Sequence, residues 1–96
     1  MIVTGKGELA AFIAIYTDAK GWIENWLVEV EAAKFKTPQD IKNQYSSVSF
    51  LSDGVVIFNV KGNKYRLETI VAYGLSIVEV VWIGTHKEYD KRNKSR

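Results

Sequence analysis

Three apolar-rich runs separated by two short turn signals constrain this chain more than any other feature. Val55 to Val60, Tyr65 to Tyr73 and Ser76 to Gly84 are rich in β-branched and aromatic residues, the last two in alternation with polar ones. Gly62-Asn63 separates the first pair, and Gly74-Leu75 separates the second. Such dipeptides suit the tight turns of hairpins. The pattern predicts three antiparallel strands joined by two β-hairpins. A weaker strand, Ser47 to Leu51, precedes them and ends at the turn signal Ser52-Asp53-Gly54.

Two-residue turns set the expected register. Asn59 falls opposite Arg66, Arg66 falls opposite Ile83, and the same register brings His86 beside Asn63. Alternation then divides the side chains. Val56, Phe58, Val60, Leu67, Val71, Val78, Val80 and Trp82 share one face, which is apolar and should pack on helices. Asn59, Arg66, Glu68 and Glu79 share the other with Ile57, Val81 and Ile83. Arg66 and Asn59 therefore point away from the core. They lie at the sheet end that His86 and the Lys61/Lys64 turn also occupy. A one-residue bulge would overturn this placement.

The first half reads as helical. Leu9, Phe12, Ile13 and Tyr16 form an apolar stripe, Asp18 and Gly21 interrupt it, and Trp22, Ile23, Trp26, Leu27, Val30 and Ala33 resume it. Two antiparallel helices joined by a short turn are expected, with Trp22 and Trp26 in the core rather than on a binding platform. Thr37-Pro38-Gln39-Asp40 has the residues of a helix start, and a short helix to about Tyr45 should follow. Thr85 with Glu88 repeats the start signal near the C-terminus and predicts a final helical turn.

With 96 residues, no repeat and no linker, a single domain over residues 1–96 is expected. The absence of cysteine excludes a disulfide scaffold, a Cys-ligated zinc site and a thiol nucleophile. It also fits a reducing cytoplasm. The apolar runs are too short to span a bilayer, and Met1 to Gly7 lacks the pattern of a signal peptide, so a cytoplasmic protein is expected. Charge is uneven. Residues 1–54 carry five lysines against seven acids, whereas residues 55–96 carry eight lysines and arginines against four acids. The basic half suits a polyanion or an acidic partner; a solvated charged surface is the plainer alternative.

The residues gathered at the hairpin end suit phosphodiester chemistry. Arg66 offers forked, permanently charged donors to phosphate oxygens. His86, the only histidine, can move a proton near neutral pH. Lys61 and Lys64 add positive potential. Tyr65, Tyr73 and Tyr89 are aromatic groups able to stack on bases; the register places Tyr65 on the core face and favours Tyr89. Each has a plainer explanation as well. Arg66, Asn59 and Glu68 could form an ordinary cross-strand cluster, His86 could be a surface or capping residue, and Tyr89 could anchor the last turn. The sequence holds no metal-ligand cluster, P-loop, dinucleotide fingerprint or nucleophile elbow.

The run Phe58-Asn59-Val60-Lys61-Gly62-Asn63-Lys64-Tyr65-Arg66-Leu67, followed by Gly84-Thr85-His86-Lys87-Glu88-Tyr89-Asp90, resembles the HigB-type toxins of bacterial type II toxin–antitoxin systems, within the RelE-like superfamily. Phe35 to Lys42, Tyr45 and Asp18-Ala19 extend the likeness over about residues 9–90. The resemblance implies an α+β RelE-like fold, with two N-terminal helices on one face of a small antiparallel sheet and a short C-terminal helical turn. It implies an mRNA interferase, a metal-independent endoribonuclease without cofactor that cuts mRNA, typically on the translating ribosome. A HigA-like helix-turn-helix antitoxin would neutralise it.

The family's motif positions carry over as Asn59, Lys61, Asn63 and Arg66, with His86 and Tyr89. On this reading Arg66, His86, Lys64 and Tyr89 are catalytic, and Asn59, Lys61 and Asn63 bind RNA. The ribose 2′-hydroxyl would attack the adjacent phosphate. Arg66, with Lys61 or Lys64, would stabilise the developing charge, His86 would act as general acid or base, and Tyr89 and Asn63 would position the nucleotide. One histidine leaves the second proton transfer to Lys64, Tyr89 or an rRNA group. The same fold also serves ParE-like gyrase-binding toxins, and an inactive antitoxin-binding scaffold is a third possibility. The chain departs from the family in its first helix, which Ala10, Ala11, Ile13, Ala14 and Ile15 make apolar, and in the residues before it.

Overall fold

The computed structural model describes residues 1–94, in an α+β arrangement. The chain runs β1 (Ile2–Thr4), α1 (Lys6–Ile15), α2 (Lys20–Ala32), α3 (Pro38–Gln44), β2 (Ser49–Phe50), β3 (Val55–Val60), β4 (Tyr65–Ala72), β5 (Ile77–Thr85) and α4 (His86–Lys94). The three apolar-rich runs form β3, β4 and β5, with the expected antiparallel pairing. The sheet order is β1-β5-β4-β3-β2. Because β1 pairs with β5 in parallel, the sheet is mixed rather than wholly antiparallel. Gly5 makes the exit from β1 possible. Its φ of 79° is left-handed, and a Cβ there would run into the Val80 carbonyl.

The N-terminal helices bury the predicted stripes. Leu9 and Phe12 of α1 and Ile23, Trp26 and Val30 of α2 join Ile41 of α3 in one core with the inner sheet face. Each side chain withdrawn fully from water contributes about 1.5–3 kcal/mol. Trp26 is buried edge-on against Phe58, with ring centroids 5.4 Å apart, and Trp22 packs at the core's margin. Both tryptophans serve packing, as the spacing indicates. The break between α1 and α2 is a 3-10 turn at Thr17–Ala19, and Gly21 lies inside α2. Before α3, Thr37 Oγ1 accepts from Asp40 N–H, and Asp40 Oδ2 accepts from the Thr37 and Lys36 amides at 3.1 and 2.9 Å. The Lys36 and Thr37 amide bonds hold the Asp40 carboxyl below its ordinary pKa.

One extra residue changes the outer half of the β4–β5 ladder. From Ala72↔Ile77 to Thr69↔Val80 the register follows the two-residue turn. Beyond it the pairs are Glu68↔Trp82, Leu67↔Ile83, Arg66↔Gly84 and Tyr65↔Thr85, so Val81 is a bulge. The bulge exchanges the faces of everything after it. Ile83, not Trp82, enters the core, and Trp82 stands on the outer face opposite Glu68. Arg66 faces Gly84 instead of Ile83. The first hairpin keeps its expected pairing, Asn59↔Arg66.

The outer face is covered in part by α4, a nine-residue helix where a short turn was expected. Thr85 and Glu88 close a reciprocal cap. Glu88 N–H donates to Thr85 Oγ1 at 3.1 Å, and Thr85 N–H donates to Glu88 Oε1 at 2.9 Å. Arg92 Nε donates to the nearly buried Glu68 Oε1 at 3.2 Å, and its guanidinium lies 5.3 Å from the Trp82 ring centre. Tyr89 approaches the same ring at 6.3 Å. The indole lies so close over Gly84 that a Cβ there would fall on its ring atoms. Gly84→Ala is therefore expected to destabilise the fold by about 1–3 kcal/mol in urea unfolding. Most of that cost should vanish in a Trp82→Ala background, and equal costs in both backgrounds would show that the contact is not its source.

Candidate active site

The β3–β4 turn sets the geometry of the site. Lys61 and Gly62 both take left-handed backbone angles, φ 54° and 68°. Lys64 N–H closes the turn on the Lys61 carbonyl at 3.3 Å. Arg66, the second residue of β4, folds its guanidinium back over this turn. Nη2 donates to Asn63 Oδ1 at 2.6 Å, and Nη1 donates to the Asn63 and Tyr65 carbonyls at 3.3 and 3.2 Å. Among the described residues no carboxylate forms an ion pair with Arg66. Its charge is oriented by neutral acceptors and remains available to an anion.

The β5–α4 junction supplies the second part. His86 N–H donates to the Lys64 carbonyl at 3.1 Å, continuing the sheet ladder one step into the helix. The backbone partner is thus Lys64, one residue from the Asn63 that the uninterrupted register implied. The shift has the same cause as the face exchange, the Val81 bulge. His86 Nδ1 lies 3.1 Å from Asp90 Oδ2, four residues on along α4, and both side chains are exposed to solvent. An ionised carboxylate only accepts, so the proton of a neutral imidazole belongs on Nδ1. Nε2 is left as the nitrogen that can take a proton.

Lys64 is engaged from the opposite layer. Its Nζ lies 2.5 Å from Asp18 Oδ2, and Tyr65 OH donates to Asp18 Oδ1 at 2.6 Å. The hydrogen bond from Lys64, and after it that from Tyr65, lowers the Asp18 pKa. The bond to Asp18, reinforced by its charge, raises that of Lys64. Lys64 is thereby held as a cation.

The hairpin end thus collects Asn59, Lys61, Asn63, Lys64, Arg66 and His86. Tyr89 lies one helical turn from His86, partly exposed and resting on Trp82. Tyr65 is in the core between Phe12 and Tyr16, and Tyr73 lies beyond the far end of β4. Glu68 pairs with Arg92 across the outer face. Sequence reasoning missed Asp90, Asp18 and Trp82 as neighbours of the site. The four-residue spacing of His86 and Asp90 on a helix was a readable signal. Asp18 had no local signal, because 46 residues separate it from Lys64.

A sequence model of one family, HigB_toxin, described as the RelE-like toxic component of a toxin–antitoxin system, matches residues 19–92. No curated protein matches the chain at a significant level.

The Asp18 contacts have a consequence for acid stability. A carboxyl depressed by folding stabilises above its unfolded pKa, near the ordinary 3.8, and loses that contribution as pH falls through the lower folded value. The stability difference between wild type and Asp18→Asn should hold at pH values above about 5 and shrink below about 4. Urea midpoints measured across that range check it. A difference that stays constant into acid would contradict the assignment.

Proposed function

The chain belongs to the HigB toxin family, the RelE-like toxic component of toxin–antitoxin systems, and on that premise we propose that it is a metal-independent endoribonuclease that cuts mRNA on the ribosome. The observation that carries this reading is the meeting, at one end of the sheet, of an arginine that has no carboxylate partner among the described residues and a histidine oriented by Asp90. Family membership gives the toxin an antitoxin partner, which we take to be HigA-like with a helix-turn-helix. No helix among the described residues is long and apolar enough to cross a membrane. A single domain over 1–96, acting in the bacterial cytoplasm, completes the proposal.

In this mechanism the ribose 2′-hydroxyl attacks the adjacent phosphorus and the bond to the 5′ oxygen breaks. The products are a 2′,3′-cyclic phosphate and a free 5′-hydroxyl. His86 Nε2 takes the 2′ proton or, when protonated, gives one to the leaving oxygen. Arg66 stabilises the charge that builds on the phosphoryl oxygens, with Lys61 and Lys64 beside it. A lysine held cationic by Asp18 suits that electrostatic role better than proton transfer. The second proton transfer then passes to the Tyr89 phenol or to an rRNA group. Asn63 orients Arg66 and, with Asn59 and Tyr89, positions the nucleotide.

Arg66→Ala and His86→Ala should each slow cleavage of ribosome-bound mRNA by about 100-fold or more while leaving antitoxin binding intact. Normal cutting by both variants would refute the site assignment. Growth arrest with DNA damage and intact mRNA would point to gyrase binding. Absence of toxicity would point to an inactive scaffold.

A further inference from the structure

Arg66 and His86 approach the site from β4 and from the start of α4, whereas Lys64 is held by a residue of the helical layer. Asp18 sits in the 3-10 turn between α1 and α2 and reaches Lys64 Nζ at 2.5 Å. Its other oxygen accepts from Tyr65 OH at 2.6 Å. That phenol is fixed: Tyr65 is 4% exposed, and its ring meets Phe12 and Tyr16 at 5.1 and 5.4 Å. The carboxylate is thus braced on the aromatic core and is not a freely moving surface acid.

Lys64 is also the junction of the site's backbone. Its carbonyl receives His86 N–H, and its own N–H closes the turn that carries Asn63. An unrestrained lysine spreads its charge over many rotamers, and ordering it costs entropy. An ammonium has three donors. Asp18 engages one side of it, which leaves donors for a phosphate oxygen.

We infer that Asp18 is a positioning residue of this site, holding the Lys64 ammonium at the edge of the hairpin where a scissile phosphate can share it. The inference rests on the nuclease reading above. Asp18 touches no reacting atom and acts through Lys64, so its removal should matter only while Lys64 is present. Asp18→Asn is the suitable change, since the amide oxygen can still accept from Tyr65 OH while the charge facing Lys64 is lost.

The test is a double-mutant cycle read by single-turnover cleavage of ribosome-bound mRNA, with wild type, Asp18→Asn, Lys64→Ala and the double variant. Each single change should slow the cleavage step by about 10-fold or more, with little change in the concentration that half-saturates the reaction. The double variant should be no slower than Lys64→Ala alone. A wild-type rate in Asp18→Asn, or losses that multiply in the double variant, would overturn the inference. Should Asp18→Asn fail to fold, Asp18→Glu serves in its place. It keeps the charge and should cut faster than Lys64→Ala, and a slower rate would refute the positioning role. If the wild type cuts no mRNA, the nuclease reading itself falls and takes this inference with it. If the wild type cuts and only the cycle fails, the role of Asp18 alone is lost.

Discussion

The placement of the site depends on one extra residue, Val81, in the ladder between β4 and β5. Without it Trp82 would enter the core and Ile83 would face outward. With it, the core receives the aliphatic side chain and the outer face receives the indole. The indole then supplies what α4 packs on. Tyr89 and Arg92 both meet its ring, and Gly84 leaves room for it. The same shift sets His86 beside Lys64 at the start of that helix. A bulge next to a functional residue is a common way to re-aim side chains without lengthening the sheet.

The hairpin end is tied together through Lys64 and its neighbours. Asn63 orients the Arg66 guanidinium, the Lys64 carbonyl holds His86, and the Lys64 side chain connects to Asp18 and through it to Tyr65. Groups from β4, α4 and the α1–α2 turn therefore meet with few degrees of freedom left. Such preorganisation lets fixed charges stabilise a developing charge without reordering during the reaction.

The apolar-rich runs, two of them alternating, and the turn residues between them made the three main strands and the first hairpin legible. Asn59 opposite Arg66 followed from turn arithmetic alone. The capping residues Thr37 and Thr85 marked two helix starts, and the apolar stripes of α1 and α2 identified the core face. Other features had no local signature. A bulge at Val81 costs one ladder position and changes no residue type, so Trp82 looked like a core residue. The three-residue β1 is fixed by its partner β5 and by Gly5, not by its own pattern. The contact between Asp18 and Lys64 spans the layers of the fold and cannot be read from spacing. The length of α4 owes more to Arg92 meeting Glu68 and Trp82 than to the polar run from His86 to Lys94.

The chemistry of the cut ends is the most direct measurement. Attack by a neighbouring 2′-hydroxyl leaves a 5′-hydroxyl on the downstream fragment. Those ends can be ligated only after a kinase adds a phosphate. After induction of the toxin, mapping of mRNA 5′ ends with and without kinase treatment should recover new ends only in the treated sample, with chelator present throughout the parallel in vitro reaction. New ends that carry 5′-phosphates, or cutting that the chelator abolishes, would contradict a site built on Arg66 and His86 alone.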